Sequence, residues 1–148
     1  LSRAGGLPVP PPPDSLPAMT VNFPMIIAVA AGGAVGAAGR YLSMSAVGAL
    51  IGGGFPWGTL FVNIVGSFAM GVLIELMSLV WSPNMETRGF LLIGLLGAFT
   101  TFSTFSLDVV VLAERGNWSG VAGYIAASMT LCIAGLLLGL RLTRLLIT

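Results

Sequence analysis

The chain has 148 residues, 56% of them hydrophobic and 7% charged, and a net charge of +1 from six Arg against five acidic residues. A soluble domain carries about 25% charged residues, so the composition is that of an integral membrane protein, and six scattered Arg argue against nucleic acid as a partner. With no His and a single Cys, Cys132, an intrachain disulfide framework and zinc sites of the Cys/His type are excluded.

Residues 1–22 are Pro-rich, with four consecutive Pro at 10–13. This composition favours polyproline II and predicts a disordered tail. No apolar core there resembles a signal peptide, and the opening Leu in place of Met fits a fragment. From residue 23 to 148 the chain reads as one transmembrane domain. It has four apolar runs, at about 23–42, 57–81, 89–113 and 119–140, each long enough to span a bilayer as a helix. The fold class is therefore all-α.

The first run opens on Phe23-Pro24, with Pro in the permitted first turn. It is rich in small residues, and Gly32 and Gly36 form a step of the kind that lets helix backbones touch in lipid. Arg40, the only charge in this run, is expected at or near the membrane interface. It either anchors the helix end by snorkelling or sits as a positive charge at a vestibule that concentrates anions. Residues 43–56 read as a helix end followed by a Gly-rich loop.

The second run begins at Trp57. Trp57 and Trp81 are separated by about 36 Å at the helical rise, which places one at each interface. Asn63 then lies about two turns in, where an amide must face another helix or water. It is either an interhelical hydrogen bond or an NH₂ donor to a passing anion. Glu75 falls near the far end, where it is expected to snorkel.

The third run holds Gly94-Leu-Leu-Gly-Ala-Phe-Thr-Thr-Phe-Ser-Thr-Phe-Ser106. Hydroxyls inside hydrocarbon need a partner or an aqueous lining, so the stretch reads as site-lining. Phe102 and Phe105 share a helix face, with Thr101 and Thr104 as a second pair beside them. Gly97 and the Thr-rich step after Phe99 predict a helix break near 97–101. The carbonyls it frees must be buried, line water or hold a cation. Asp108 lies one or two turns further on. In the fourth run Tyr124 and Ser128 share a face, Cys132 follows as a packed thiol, and Arg141 and Arg144 close the helix.

Four spans put both termini on one side, with Arg3, Arg88, Arg141 and Arg144; the other side has Arg40 and Arg115. Arg3 is remote from the membrane, so the useful count is three against two, a weak orientation signal. Insertion both ways is then permitted, and a homodimer is favoured because four helices alone leave little room for a lined pathway.

Three blocks together resemble one family, the Fluc (CrcB) fluoride channels: Gly33–Gly36 through Arg40-Tyr41; Trp57-Gly-Thr through Asn63, Gly66 and Phe68; and Gly97-Ala-Phe-Thr-Thr-Phe-Ser-Thr-Phe105. The resemblance covers roughly residues 23–146. It implies an antiparallel, dual-topology homodimer in the inner (plasma) membrane, with two pores that export fluoride passively. It further implies that Asn63, Phe102, Phe105, Thr104 and Ser128 line the pore, with paired Phe from opposite subunits, and that the backbone carbonyls of Gly97 and Thr100 hold a central structural Na⁺ at the dimer interface. Cys132 stands where another hydroxyl is expected, and Ala98 where a second Gly is common. The competing class is a small four-helix proton-coupled multidrug exporter, which needs a membrane-embedded carboxylate in a substrate chamber; Glu75 and Asp108 look off-centre for that. An enzyme is not expected, since carboxylates at catalytic spacing and an activated nucleophile are both missing.

Overall fold

The computed structural model describes residues 22–148. The expected Pro-rich tail, apart from Asn22, lies outside the described residues. Four helical spans long and apolar enough to cross a membrane are present: Phe23–Ile51, Trp57–Leu79, Met85–Glu114 and Trp118–Ile147. The first is α1, Phe23–Ile51, and the second α2, Trp57–Leu79. The third is composite: α3 Met85–Arg88, a π-helical segment Gly89–Leu96, α4 Gly97–Phe99 and, after a break, α5 Phe102–Glu114. The fourth is α6, Trp118–Ile147.

Helix starts are fixed by side chains that satisfy free N–H groups. Asn22 Oδ1 accepts from Met25 N at 3.1 Å, Asn84 Oδ1 from Thr87 N at 2.9 Å, and Asn117 Oδ1 from Gly120 N at 2.9 Å. α1 stops where Gly52 takes φ 92°, a left-handed conformation that favours Gly.

α1 is longer than the sequence suggested. The expected end near residue 42 is passed, and Ser43–Leu50 continue the helix to Ile51. Those residues include neither Pro nor a left-handed Gly, so nothing stops the helix before Gly52. At 29 residues α1 is about 43 Å long at the helical rise, well beyond a hydrocarbon core of about 30 Å. Arg40 therefore lies near its middle and not at its end.

Helices pair through glycine. A Cβ on Gly32 would collide with Phe90 O, and one on Gly36 with Leu95 O; Gly94 in turn faces the α1 backbone at Val29 O. Between α2 and α6, Gly71 meets Leu136 O and Gly139 meets Phe68 O, while Gly135 faces Ile64 O. Residue numbers rise together along both contacts, so α1 runs parallel to the third span and α2 parallel to α6. Polar insertions tie the ends: the expected snorkelling Glu75 is instead buried in α2, where it accepts from Arg144 Nε of α6 at 2.6 Å.

Candidate functional site

The third span breaks where two β-branched residues follow Phe99. Thr100 has φ −83°, ψ 161° and Thr101 φ −155°, ψ 119°, both extended. Thr100 still closes the helix behind it, with N and Oγ1 both donating to Leu96 O. Thr101 N no longer donates to Gly97 O, as an unbroken helix would require. It donates to Asn63 Oδ1 at 2.8 Å, and Thr101 O accepts from Asn63 Nδ2 at 3.0 Å. One amide side chain thus pairs with both polar groups of a single residue, as a neighbouring strand would. The interhelical bond expected of Asn63 is present, and it serves the break.

Thr101 also caps α5. Its Oγ1 accepts from Thr104 N at 3.1 Å and donates to Thr104 Oγ1 at 3.0 Å. The expected side-by-side Thr101/Thr104 helix pair is therefore a cap. Thr101 stands outside α5 because its backbone is extended. Arg40 approaches from α1, and its guanidinium donates to Thr100 O at 3.4 Å. The expected position at a helix end is corrected: α1 runs on to Ile51, and Arg40 sits beside the break.

Beside the break lies a cavity of about 350 Å³. Asn63, Phe102, Phe105, Ser128 and Cys132 line it, so four of the five residues expected along a pathway come together there. Thr104 does not line it, because its hydroxyl is turned to Thr101. Ser128 is only 5% exposed, and its Oγ has no hydrogen-bond partner among the described residues. A buried hydroxyl without a partner is costly, and this one lies in the cavity wall with almost no surface of its own open to the cavity.

Phe102 and Phe105 sit 5.4 Å apart between ring centroids. Phe105 is buried, whereas Phe102 is 71% exposed on the open side. Phe105 continues to the fully buried Tyr124, 5.1 Å away, whose other side meets the edge of Phe55 at 5.4 Å. Tyr124 OH donates to Asp108 Oδ2 at 3.1 Å. Asp108 in turn lines a second cavity of about 140 Å³, which also includes Arg115 and the 53–56 loop. The Tyr124–Asp108 contact joins α6 to α5 and was not anticipated; the shared face of Tyr124 and Ser128 was its one signal.

Among the described residues no cluster of three or more His, Cys, Asp or Glu is placed to hold a metal. The break offers oxygen instead. Gly97 O has lost its helical donor to Asn63, and carbonyls of an unwound segment suit an alkali cation. Thr100 O, expected as its companion, is already approached by Arg40.

Residues 27–140 match the family described as CrcB-like protein, Camphor Resistance (CrcB). The chain is similar to a protein of Rhodospirillum centenum named fluoride-specific ion channel FluC. The two are 54% identical over 120 residues, covering 81% of this chain and 95% of that one. Proteins of the same name from Agrobacterium fabrum, 51% identical over 119 residues, and Chelativorans sp., 50% identical over 119 residues, each cover 80% of this chain and 95% of their own length.

Proposed function

The chain belongs to the CrcB-like family, and from that membership we propose that it is a fluoride-selective channel that lets fluoride leave passively across the inner (plasma) membrane. The observation that carries the reading is the cavity beside the break that Ser128, Phe102, Phe105 and Asn63 line together. Fluoride is small and strongly hydrated, so a pathway must replace its water with donors while still letting it go. The unpartnered Ser128 hydroxyl lies in the cavity wall and becomes a donor when the side chain rotates inward, and the positive edges of the phenyl rings add weak attraction. Among the described residues no Arg lines the cavity. Arg40 stands behind the break and favours an anion through its field, without a contact tight enough to trap it.

The finer reading is an antiparallel homodimer with two pores. The exposure of Phe102 and the open side of the cavity support it, since a second copy would supply the missing wall and the second ring. A central Na⁺ at the dimer interface would be held by the carbonyls of Gly97 and Thr100 and would supply fixed positive charge between the subunits. For that, Arg40 must yield Thr100 O or share it.

The test is fluoride efflux from liposomes containing the purified protein, with chloride as the paired control. Rapid, electrogenic fluoride loss without chloride loss is expected. A folded, reconstituted protein that releases neither ion, or both equally, would overturn the reading.

A further inference from the structure

The second cavity, of about 140 Å³, lies at the end of the third span. One wall is a face of α5: Asp108, Val111, Leu112 and Arg115 follow the three- and four-residue steps of a helix stripe. The same stripe runs back one step to Phe105, which lines the large cavity. Tyr124 stands between the two, packed on Phe105 and bonded to Asp108. Phe55, from the loop that forms the opposite wall, meets Tyr124 on its other side. Asp108 and Arg115 both line this cavity but do not pair; among the described residues the one ion pair joins Glu75 and Arg144. At this end of the helices residues 43–62 and 116–124 carry no charge, and α5 with its cap supplies Asp108, Glu114 and Arg115. Among the described residues there, Arg115 is thus the one cation, set against two carboxylates.

A carboxylate in a narrow cavity repels an anion, and an opposite charge on the same cavity cancels that field. We propose that the second cavity is the outer mouth of the anion pathway and that Arg115 is its specificity-determining residue, cancelling the charge of Asp108 so that an anion is admitted. The passage of fluoride through this mouth rests on the channel reading; the field of Arg115 in the cavity does not. The continuous stripe from Phe105 to Arg115 gives the mouth its link to the large cavity. An Arg that served only the helix end, through the dipole, would not be coupled to Asp108.

The test is fluoride efflux from liposomes containing the full chain, in about 10 mM impermeant organic salt, where charges act over about 30 Å, and in about 1 M, where they act over about 3 Å. Arg115→Gln is expected to slow efflux about fivefold in low salt and to approach wild type in high salt. Arg115→Lys should keep the wild-type rate. Adding Asp108→Asn to Arg115→Gln should restore it, since Asn keeps an acceptor for Tyr124. A readout independent of efflux uses Gly54→Cys, which lines the same cavity and whose Cβ meets nothing within 4 Å. Its labelling rates with an anionic and a cationic methanethiosulfonate are compared, after subtracting the rate of the parent chain. Arg115→Gln should lower the anionic-to-cationic ratio about fivefold, and Arg115→Lys should leave it unchanged. An unchanged ratio in Arg115→Gln would overturn the field. A lowered ratio with undiminished efflux would overturn the role in passage, and so would slowed efflux that neither Arg115→Lys nor Asp108→Asn repairs. If wild type releases no fluoride, the channel reading and the role in passage fall together, while the labelling ratio still decides the field.

Discussion

Replacing Asn63 with Ala removes both bonds that hold Thr101 out of the helix. Thr101 is buried, so its N–H and C=O would be left without partners at mid-span. Side-chain hydrogen bonds between membrane helices average about 0.6 kcal/mol each and reach about 1.7. Two of them give about 1–3 kcal/mol, against a tenfold change in equilibrium for every ~1.4 kcal/mol. The variant should also relax toward continuous helix, because Thr101 N can then return to Gly97 O; that removes the free carbonyl and reshapes the cavity. Asn63→Asp keeps the acceptor for Thr101 N but sets a carboxylate oxygen against Thr101 O and a negative charge at the cavity wall. We expect Asn63→Ala to lower stability in equilibrium unfolding by that amount and to lose most fluoride efflux, and Asn63→Asp to block efflux. Unchanged stability in Asn63→Ala together with normal efflux in Asn63→Asp would refute the role given to the pair.

The glycine contacts make a paired prediction. Gly36→Ala drives a Cβ into Leu95 O and should sharply reduce the yield of monodisperse protein, whereas Gly33→Ala meets nothing within 4 Å and should be neutral; size-exclusion profiles compare them. Phe102→Ile should impair fluoride efflux with little effect on thermal unfolding, because Phe102 is exposed, while Phe105→Ile should lower both, because Phe105 packs on Tyr124. At the far end of α2, Arg144→Ala strands the buried Glu75 carboxylate, whereas Glu75→Gln leaves Arg144 free to reach water. Melting temperature should therefore fall more for Arg144→Ala.

The four spans and the broken third helix were legible because length, Trp placement and Gly97 followed by a Thr-rich step are local signals. The grouping of Asn63, Phe102, Phe105 and Ser128 was legible through the family resemblance and through polar residues that lipid would not tolerate alone. The place of Arg40 was not. Ser43–Leu50 look too polar and small for a membrane span, yet they lack any helix stop, so α1 runs on and Arg40 moves to mid-helix. Its contact with Thr100 joins residues 60 apart, which no local pattern encodes. Thr104 was misplaced for a related reason. Spacing alone put Thr101 and Thr104 on one face, and it took the extended backbone at Thr101 to turn their hydroxyls toward each other.

The glycine pairing also fixes an order of assembly. α1 packs along the third span and α2 along α6, so each mate arrives two spans later in synthesis. Neither pair can close when its first member enters the bilayer. α1 can close once the third span is in, whereas α2 must wait for α6, so for each pair insertion precedes association, as described for helical membrane proteins. A chain arrested before residue 118 would leave the α2 face around Gly71 bare and the Glu75 carboxylate without its Arg. The fourth span, α6, is therefore the one that commits the α2 half of the molecule to its final arrangement.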